Sequence, residues 1–134
     1  MSEQRDLLVA RILARDIMTR EDQVSSYQEW FDSKWDGEKY KYDEMPENLH
    51  IFFSYYTNYE GDALMFGYDS SKNMFFYVSG GHCSCNGLEG QFDPEDYTFE
   101  EMVDYIERMI ETDYDKQRVE EYKQVIQIIK GEQA

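Results

Sequence analysis

LHIFFSYYTNYEGDALMFGYDSSKNMFFYV, residues 49–78, contains three apolar, aromatic runs separated by two short polar segments. The runs are Leu49–Thr57, Asp62–Tyr68 and Asn73–Val78, and the segments between them read NYEG and DSSK. Because Gly, Asn, Asp and Ser favour tight turns, this pattern predicts three antiparallel strands connected as a meander. The rest of the chain is expected to pack around this meander.

Period-2 alternation along the first two runs predicts which side chains share a face of the sheet. In the first run these residues are Leu49, Ile51, Phe53 and Tyr55. In the second run they are Leu64, Phe66 and Tyr68. Both sets are apolar, so each is expected to form part of a core.

The segment before the meander has a helical period. The spacing of its apolar residues predicts a helix over Glu3–Met18. Thr19 is a good N-cap, and the acidic residues just after it suit the positive end of a helix dipole. A second helix is therefore expected to begin there and to run to about Ser33. We expect a loop over Asp32–Asn48, which has no clear period and contains a glycine and a proline.

The segment after residue 97 contains the clearest helical pattern. Thr98 and Glu101 have capping-box spacing, and the apolar residues from Phe99 onward recur on one wide stripe. A last helix is expected over Asp115–Lys130, with Gly131 at its C′ position. Helices are therefore predicted on both sides of the strands along the chain.

The order of these elements predicts the fold class. Two helices, three strands and two helices follow one another without βαβ alternation, which is typical of the α+β class. We expect one domain over residues 1–134, built on an antiparallel sheet of three or four strands. The N-terminal and C-terminal helix pairs are expected to pack on this sheet and to cover one face of it. A chain of this length can bury roughly two thirds of its unfolded surface in a single core.

Net charge is the dominant global feature of the chain. It has 29 acidic and 13 basic residues, a formal charge of −16. Between Lys41 and Arg108 there are fourteen acidic residues and one basic residue, Lys72. Such a field repels phosphate, so direct binding to nucleic acid or to an anionic membrane is not expected, and it attracts basic surfaces. Acidity also favours solubility alone, so charge by itself leaves that simpler interpretation open.

Hydropathy and cysteine spacing predict a cytoplasmic protein. No apolar run approaches the roughly 20 residues that cross a bilayer, and the N-terminus mixes charged with apolar residues, unlike a signal peptide. The two cysteines, Cys83 and Cys85, are too close in sequence for a bond between them to staple the fold. Reduced thiols are typical of the cytosol.

The segment GGHCSCNGLEGQFDPED, residues 80–96, concentrates the residues that could carry chemistry. His82, Cys83 and Cys85 are all zinc-type ligands, but a structural zinc site needs a fourth. The other histidine, His50, opens the first strand, at the far end of a meander from this segment. The sequence therefore favours a structural loop and no cofactor, with zinc as the alternative.

Thiol and phosphate chemistry fit this segment poorly. A catalytic thiol needs a neighbouring base and an electropositive setting that lowers its pKa, whereas the surroundings here are acidic. The glycines could form a backbone cradle, but no Lys or Arg lies within the loop and P-loop spacing is missing. We therefore expect a protein that is not an enzyme.

Residues Gly81 to Glu95 read G-H-C-S-C-x-G-L-E-G-Q-[WF]-x-P-E, with Phe92 at a position where Trp is the expected residue. This string resembles a signature of small, uncharacterised proteins from tailed-phage genomes. Those proteins also have aromatic strands before the string and an acidic helix after it. The resemblance covers Leu49 to Ile110 and implies a phage context, without an activity.

Small, very acidic phage proteins are often inhibitors of host defence nucleases, and some resemble DNA in charge, so the phage context suggests a function by analogy. We hypothesise a non-enzymatic inhibitor, of anti-CRISPR or anti-restriction type, that occupies a basic nucleic-acid groove of a host defence protein. Its candidate contact residues are Asp93, Glu95, Asp96, Glu100, Glu101, Asp104, Glu107 and Glu111. The alternative is a small zinc-binding accessory domain organised by His82, Cys83 and Cys85.

Overall fold

The structure is a computed structural model that describes residues 3–30, 45–56, 61–82 and 92–131. These residues form four helices and a four-stranded antiparallel sheet. The elements are α1 (Glu3–Leu13), α2 (Arg20–Gln28), β1 (Leu49–Tyr56), β2 (Gly61–Asp69), β3 (Met74–His82), β4 (Glu95–Tyr97), α3 (Phe99–Thr112) and α4 (Lys116–Lys130). The strands are ordered β1-β2-β3-β4. The predicted α+β class and the meander are confirmed, and the possible fourth strand is β4, which pairs with β3.

The sheet is covered on both faces, which corrects the expectation that helices cover only one. The face that packs against α1, α3 and α4, called the three-helix face, buries Phe52, Phe53, Leu64, Phe66, Tyr68, Phe75 and Tyr77. The face that packs against α2, called the α2 face, buries Ile51, Ala63, Met65, Phe76 and Val78. Both sets of alternating side chains in the central strands are apolar, so each face needs its own cover.

A β-bulge in β1 makes the predicted alternation of its side chains wrong. Ile51 lies opposite Gly67 and Phe53 lies opposite Phe66, so Phe52 is an extra residue between the two pairs. As a result Ile51 is buried in the α2 face, whereas Phe52 and Phe53 are both buried in the three-helix face. In β2 the predicted shared face is confirmed.

The caps predicted at three helix ends are confirmed. Thr19 accepts a hydrogen bond from the N–H of Asp22 at 3.2 Å. Thr98 accepts one from the N–H of Glu101 at 3.2 Å, and the Glu101 carboxylate accepts one from the N–H of Thr98 at 2.9 Å, which completes the capping box. Gly131 follows α4 with φ at 79°, the left-handed conformation that closes many helices.

The first helix ends before its predicted boundary at Met18, because the chain turns at Arg15, whose φ is 62°. The N–H of Arg15 donates to the carbonyl of Ile12 at 3.0 Å, and the N–H of Asp16 donates to the carbonyl of Arg11 at 3.1 Å. These two bonds form a Schellman motif, in which the left-handed residue is usually glycine.

The second helix also ends early, at Gln28 instead of about Ser33. The predicted loop over Asp32–Asn48 lies largely outside the described residues. Trp30 and Met45, on either side of that gap, are both buried in the α2 face. Both ends of the segment are therefore anchored on the same side of the sheet.

Each outer strand of the sheet has a feature that opposes pairing with a further strand. At the start of β1, Arg20 Nη1 donates to the carbonyl of Leu49 at 2.7 Å, and the N–H of Ile51 donates to Gln23 Oε1 at 2.9 Å. Two side chains of α2 thus occupy positions that a neighbouring strand would take. At the other edge β4 has three residues, two of them acidic. Short and charged edges resist pairing with a further strand.

Gly67 lies in β2 at a position with no room for a side chain. A Cβ there would overlap the ring of Phe76 and would lie 2.5 Å from the main-chain oxygen of His50. Because that oxygen is held by the strand, we expect Gly67→Ala to lower the free energy of unfolding by about 3 kcal/mol. Urea unfolding followed by circular dichroism measures the change. Ser79→Ala, at an exposed position of β3, is the control and should stay within about 0.5 kcal/mol of the parent protein.

Arg15 is the second position at which backbone conformation predicts a stability change. Glycine adopts the left-handed conformation without the steric cost that a Cβ imposes, so Arg15→Gly should raise the free energy of unfolding by about 1 kcal/mol. Arg15→Ala removes the same charge but keeps the Cβ, and should change stability by less than about 0.5 kcal/mol. Equal effects of the two substitutions in urea unfolding would show that the side chain, and not the backbone, determines stability here.

Candidate functional site

α3 presents four carboxylates on one exposed stripe. Its opposite side is fixed in the core by Phe99, Met102 and Ile106, all of which are buried. At 100° per residue, the four exposed acidic side chains fall within an arc of about 60°. The members of this acidic stripe are Glu100, Asp104, Glu107 and Glu111.

The acidic stripe is dense in charge and weakly compensated. A rise of 1.5 Å per residue spreads its four charges over roughly 17 Å, about one every 4 to 6 Å, compared with one phosphate per roughly 3.4 Å along a DNA strand. Among the described residues, no ion pair involves a member of the stripe. The basic residue of α3, Arg108, has its guanidinium 5.9 Å from the ring centre of Tyr105.

The acidic candidates around β4 are separate from the stripe and partly engaged in local contacts. Asp96 forms an exposed ion pair with Lys72 at 3.0 Å, and this bond raises the pKa of Lys72. Glu95 accepts a hydrogen bond from the hydroxyl of Tyr97 at 2.8 Å. Burial and that bond raise the pKa of Tyr97 to about 12. Asp93 is exposed just before the strand.

The cysteine segment begins inside a strand, which corrects the prediction of a loop from residue 80 onward. Gly80 to His82 are the last residues of β3, and they pair with Gly61 to Ala63 of β2. Cys83 and Cys85 lie outside the described residues. The zinc alternative at His82, Cys83 and Cys85 therefore stays a prediction.

His50 lies at the opposite end of the sheet from His82, as predicted. It pairs with Tyr68, which pairs with Phe75, and Phe75 is seven residues before His82 in β3. At ~3.3 Å per residue this separation is roughly 23 Å, too far for a shared metal ion. The Nδ1 atom of His50 is buried without a hydrogen-bond partner in the described part of the chain. Burial and the nearby charge of Arg20 lower its pKa, so the ring is neutral.

No helix within the described ranges is long and apolar enough to cross a membrane. Within the same ranges, no three His, Cys, Asp or Glu side chains converge in a way that could hold a metal ion.

A cleft that the sequence did not predict lies where β3 leads into the cysteine segment. Its volume is about 310 Å³, and β2, β3, α3 and α4 all contribute to its walls. At its centre Arg118 Nη1 donates to Asp62 Oδ2 at 2.6 Å, and Nε and Nη2 donate to the two oxygens of Asp113 at 2.8 and 3.1 Å. We call it the Arg118 cleft.

In the ion pair between Arg118 and Asp113, the carboxylate is shielded from water more completely than the guanidinium. The side chain of Asp113 is 3% exposed, whereas that of Arg118 is 28% exposed. The hydrogen bonds from Arg118 lower the pKa of Asp113 in spite of its burial. In the same way, the bond to Asp113 raises the pKa of Arg118, so both groups are charged.

Three tyrosines form the aromatic wall of the Arg118 cleft. The hydroxyls of Tyr77 and Tyr122 share a hydrogen bond at 3.1 Å. The ring of Tyr105 lies 5.2 Å from that of Tyr77 and 6.3 Å from that of Tyr122. Burial raises the pKa of both Tyr77 and Tyr122, so their hydroxyls are neutral.

Only part of this cleft has a signal in the sequence. Asp113 directly follows α3 and Arg118 lies in the first turn of α4, and their separation of five residues permits a local pair. Asp62 is 56 residues from Arg118 and reaches it through the packing of α4 on the sheet.

Comparison with protein-family models, with curated proteins and with solved structures finds no match for this chain.

Glu101 differs from its neighbour Glu100 because its carboxylate caps α3. Glu101→Ala should therefore lower the free energy of unfolding by about 1 kcal/mol, through loss of half of the capping box. Glu100→Ala removes the same charge from the same helical turn without breaking a cap, and should change stability by less than about 0.5 kcal/mol. Thermal and urea unfolding of the two variants measure the difference. Two equal losses would assign the effect to the helix dipole.

Proposed function

We propose that the protein is a non-enzymatic phage inhibitor that uses the acidic stripe to occupy a basic nucleic-acid groove on a host defence protein, of anti-CRISPR or anti-restriction type. The observation that carries this proposal is the stripe itself: four exposed carboxylates in one line on α3. The partner is thus a basic protein, and the site of action is the host cytoplasm.

The rigidity of α3 supports the proposal. Its inner side is packed into the three-helix face, and its N-terminus is closed by the capping box. The carboxylates are therefore held in line before a partner arrives, which reduces the entropy that binding must overcome. A flexible acidic tail of equal charge would lack this advantage.

The repulsion within the stripe also supports a basic partner. Like charges at i,i+3 and i,i+4 spacing each destabilise a helix by a few tenths of a kcal/mol, so the three adjacent pairs of the stripe cost about 1 kcal/mol together. A row of Lys and Arg side chains on a partner relieves this repulsion on binding. The same charges speed association with a basic surface, most strongly at low salt.

A variant in which the four carboxylates of the stripe are neutralised tests the proposal, because its stability should rise while its binding to basic proteins should be lost. We expect the fourfold variant Glu100→Gln, Asp104→Asn, Glu107→Gln and Glu111→Gln to fold with up to about 1 kcal/mol more stability, because the repulsion is gone. It should nevertheless lose the ability to capture basic, DNA-binding proteins from host lysate. Each captured protein is then purified and bound to labelled duplex DNA, and the wild-type chain should displace that DNA whereas the variant should not.

A matched control separates the position of the charges from their number. Glu3, Asp16, Glu47 and Glu120 are exposed acids scattered over the molecule, and their fourfold amide variant carries the same net charge as the stripe variant. It should still displace DNA. Wild-type binding should weaken at least about tenfold between 50 and 200 mM salt, as expected for several charge contacts. Binding that does not depend on salt, or an equal loss of DNA displacement in the two fourfold variants, contradicts a role for the stripe.

A further inference from the structure

The Arg118 cleft contains more carboxylates than cations. Besides Asp62 and Asp113, Asp115 brings an oxygen to 3.8 Å from Arg118 Nη1, so three carboxylates surround one guanidinium. The side chains of Asp62 and Asp115 are 35% and 38% exposed. Asp62 lines the cleft, whereas Asp115 lies beside it and caps α4 with its other oxygen. A cation is attracted there because both carboxylates are only partly hydrated.

An anion fits this cleft poorly. The Nε, Nη1 and Nη2 atoms of Arg118 each already donate a hydrogen bond to a carboxylate. An incoming anion would also lie beside the carboxylates of Asp62 and Asp113, whose negative charge repels it. The cleft therefore favours a ligand with a positive charge.

The walls of the cleft suit a planar cation on an aliphatic stem. Tyr105 is partly exposed and lines the cleft between Tyr77 and Tyr122, while Leu64 and Met109 supply apolar surface. Aromatic faces attract guanidinium and ammonium groups, and a planar guanidinium also stacks on them. A volume of about 310 Å³ lies near the lower end of the range for small-ligand sites, roughly 300 to 1,000 Å³.

We propose that the Arg118 cleft binds an alkylguanidinium cation, the chemical group of an arginine side chain. The guanidinium packs against the edge of Tyr105 and donates to the partly exposed carboxylate of Asp62, and its stem lies against Met109. Tyr105 is about 130° around α3 from the centre of the acidic stripe, so the two sites can be occupied separately. The cleft therefore does not depend on the function proposed for the stripe.

NMR titration of the full chain tests this site. The probe is arginine blocked at both ends, N-acetyl-arginine amide, and the matched control is N-acetyl-citrulline amide, which has the same shape without the charge. We expect shifts of the amide signals of Leu64, Ser79, Gly80 and Tyr105, and a dissociation constant at least about tenfold lower for arginine than for citrulline. Equal affinity for both probes, or shifts confined to the acidic stripe, would overturn the proposal.

Variants locate the binding within the cleft. Asp62→Asn keeps a hydrogen-bond acceptor for Arg118 but removes a charge, and Tyr105→Leu removes the ring. Each should weaken binding of blocked arginine by at least about fivefold, whereas Glu3→Gln, which removes an exposed charge outside both the cleft and the stripe, should change it less than about twofold. Thermal unfolding checks that each variant is folded. If both folded cleft variants bind as the wild type does, the assignment is wrong.

Two probes distinguish the sources of the guanidinium. A pentapeptide with a central arginine that binds more tightly than blocked arginine assigns the cleft to an arginine of another protein. Equal affinity for the pentapeptide, blocked arginine and n-butylguanidine, each with one positive charge, assigns it to a small free guanidine. Binding is followed through the amide signals of the cleft, so failure of the stripe proposal leaves this result unchanged.

Discussion

Burial of the two central strands on both faces is the constraint on which the rest of the structure depends. Met65 and Phe66 are neighbours in β2, point to opposite sides and are both inaccessible to water. One side needs α2 as its cover, and the other needs α1, α3 and α4. Since α3 is held on the sheet by one side alone, its outward side is not needed for packing. The fold therefore leaves that side available for charge.

Much of the fold could be predicted from the sequence, because turn residues, caps and apolar periods are local signals. Thr98 and Glu101 marked the start of α3 correctly, and the three main strands were found in order. The coverage of both faces was missed, although the unbroken apolar run Ala63 to Phe66 is typical of strands buried on two sides. The bulge at Phe52 has no local signal, since it arises from the register of β1 on β2.

The two candidate sites also differ in how far the sequence predicts them. The acidic stripe follows from helical spacing, so its four members were among the predicted contact residues. Spacing also predicted that Glu101 caps the helix, but it did not show that Asp96 pairs with Lys72, because that contact depends on how β4 lies beside the turn after β2. The Arg118 cleft was missed because Asp62 and Arg118 meet only after the sheet and α4 have packed together.

The protected sheet edges have a consequence for how the chain behaves in a crowded cell. An exposed edge of an apolar strand can template pairing with a strand of another molecule. Here Arg20 and Gln23 block the start of one outer strand, and the other outer strand is too short and too acidic to template a neighbour. These features oppose the addition of further strands at those positions, so the folded sheet resists growth by strand pairing between molecules.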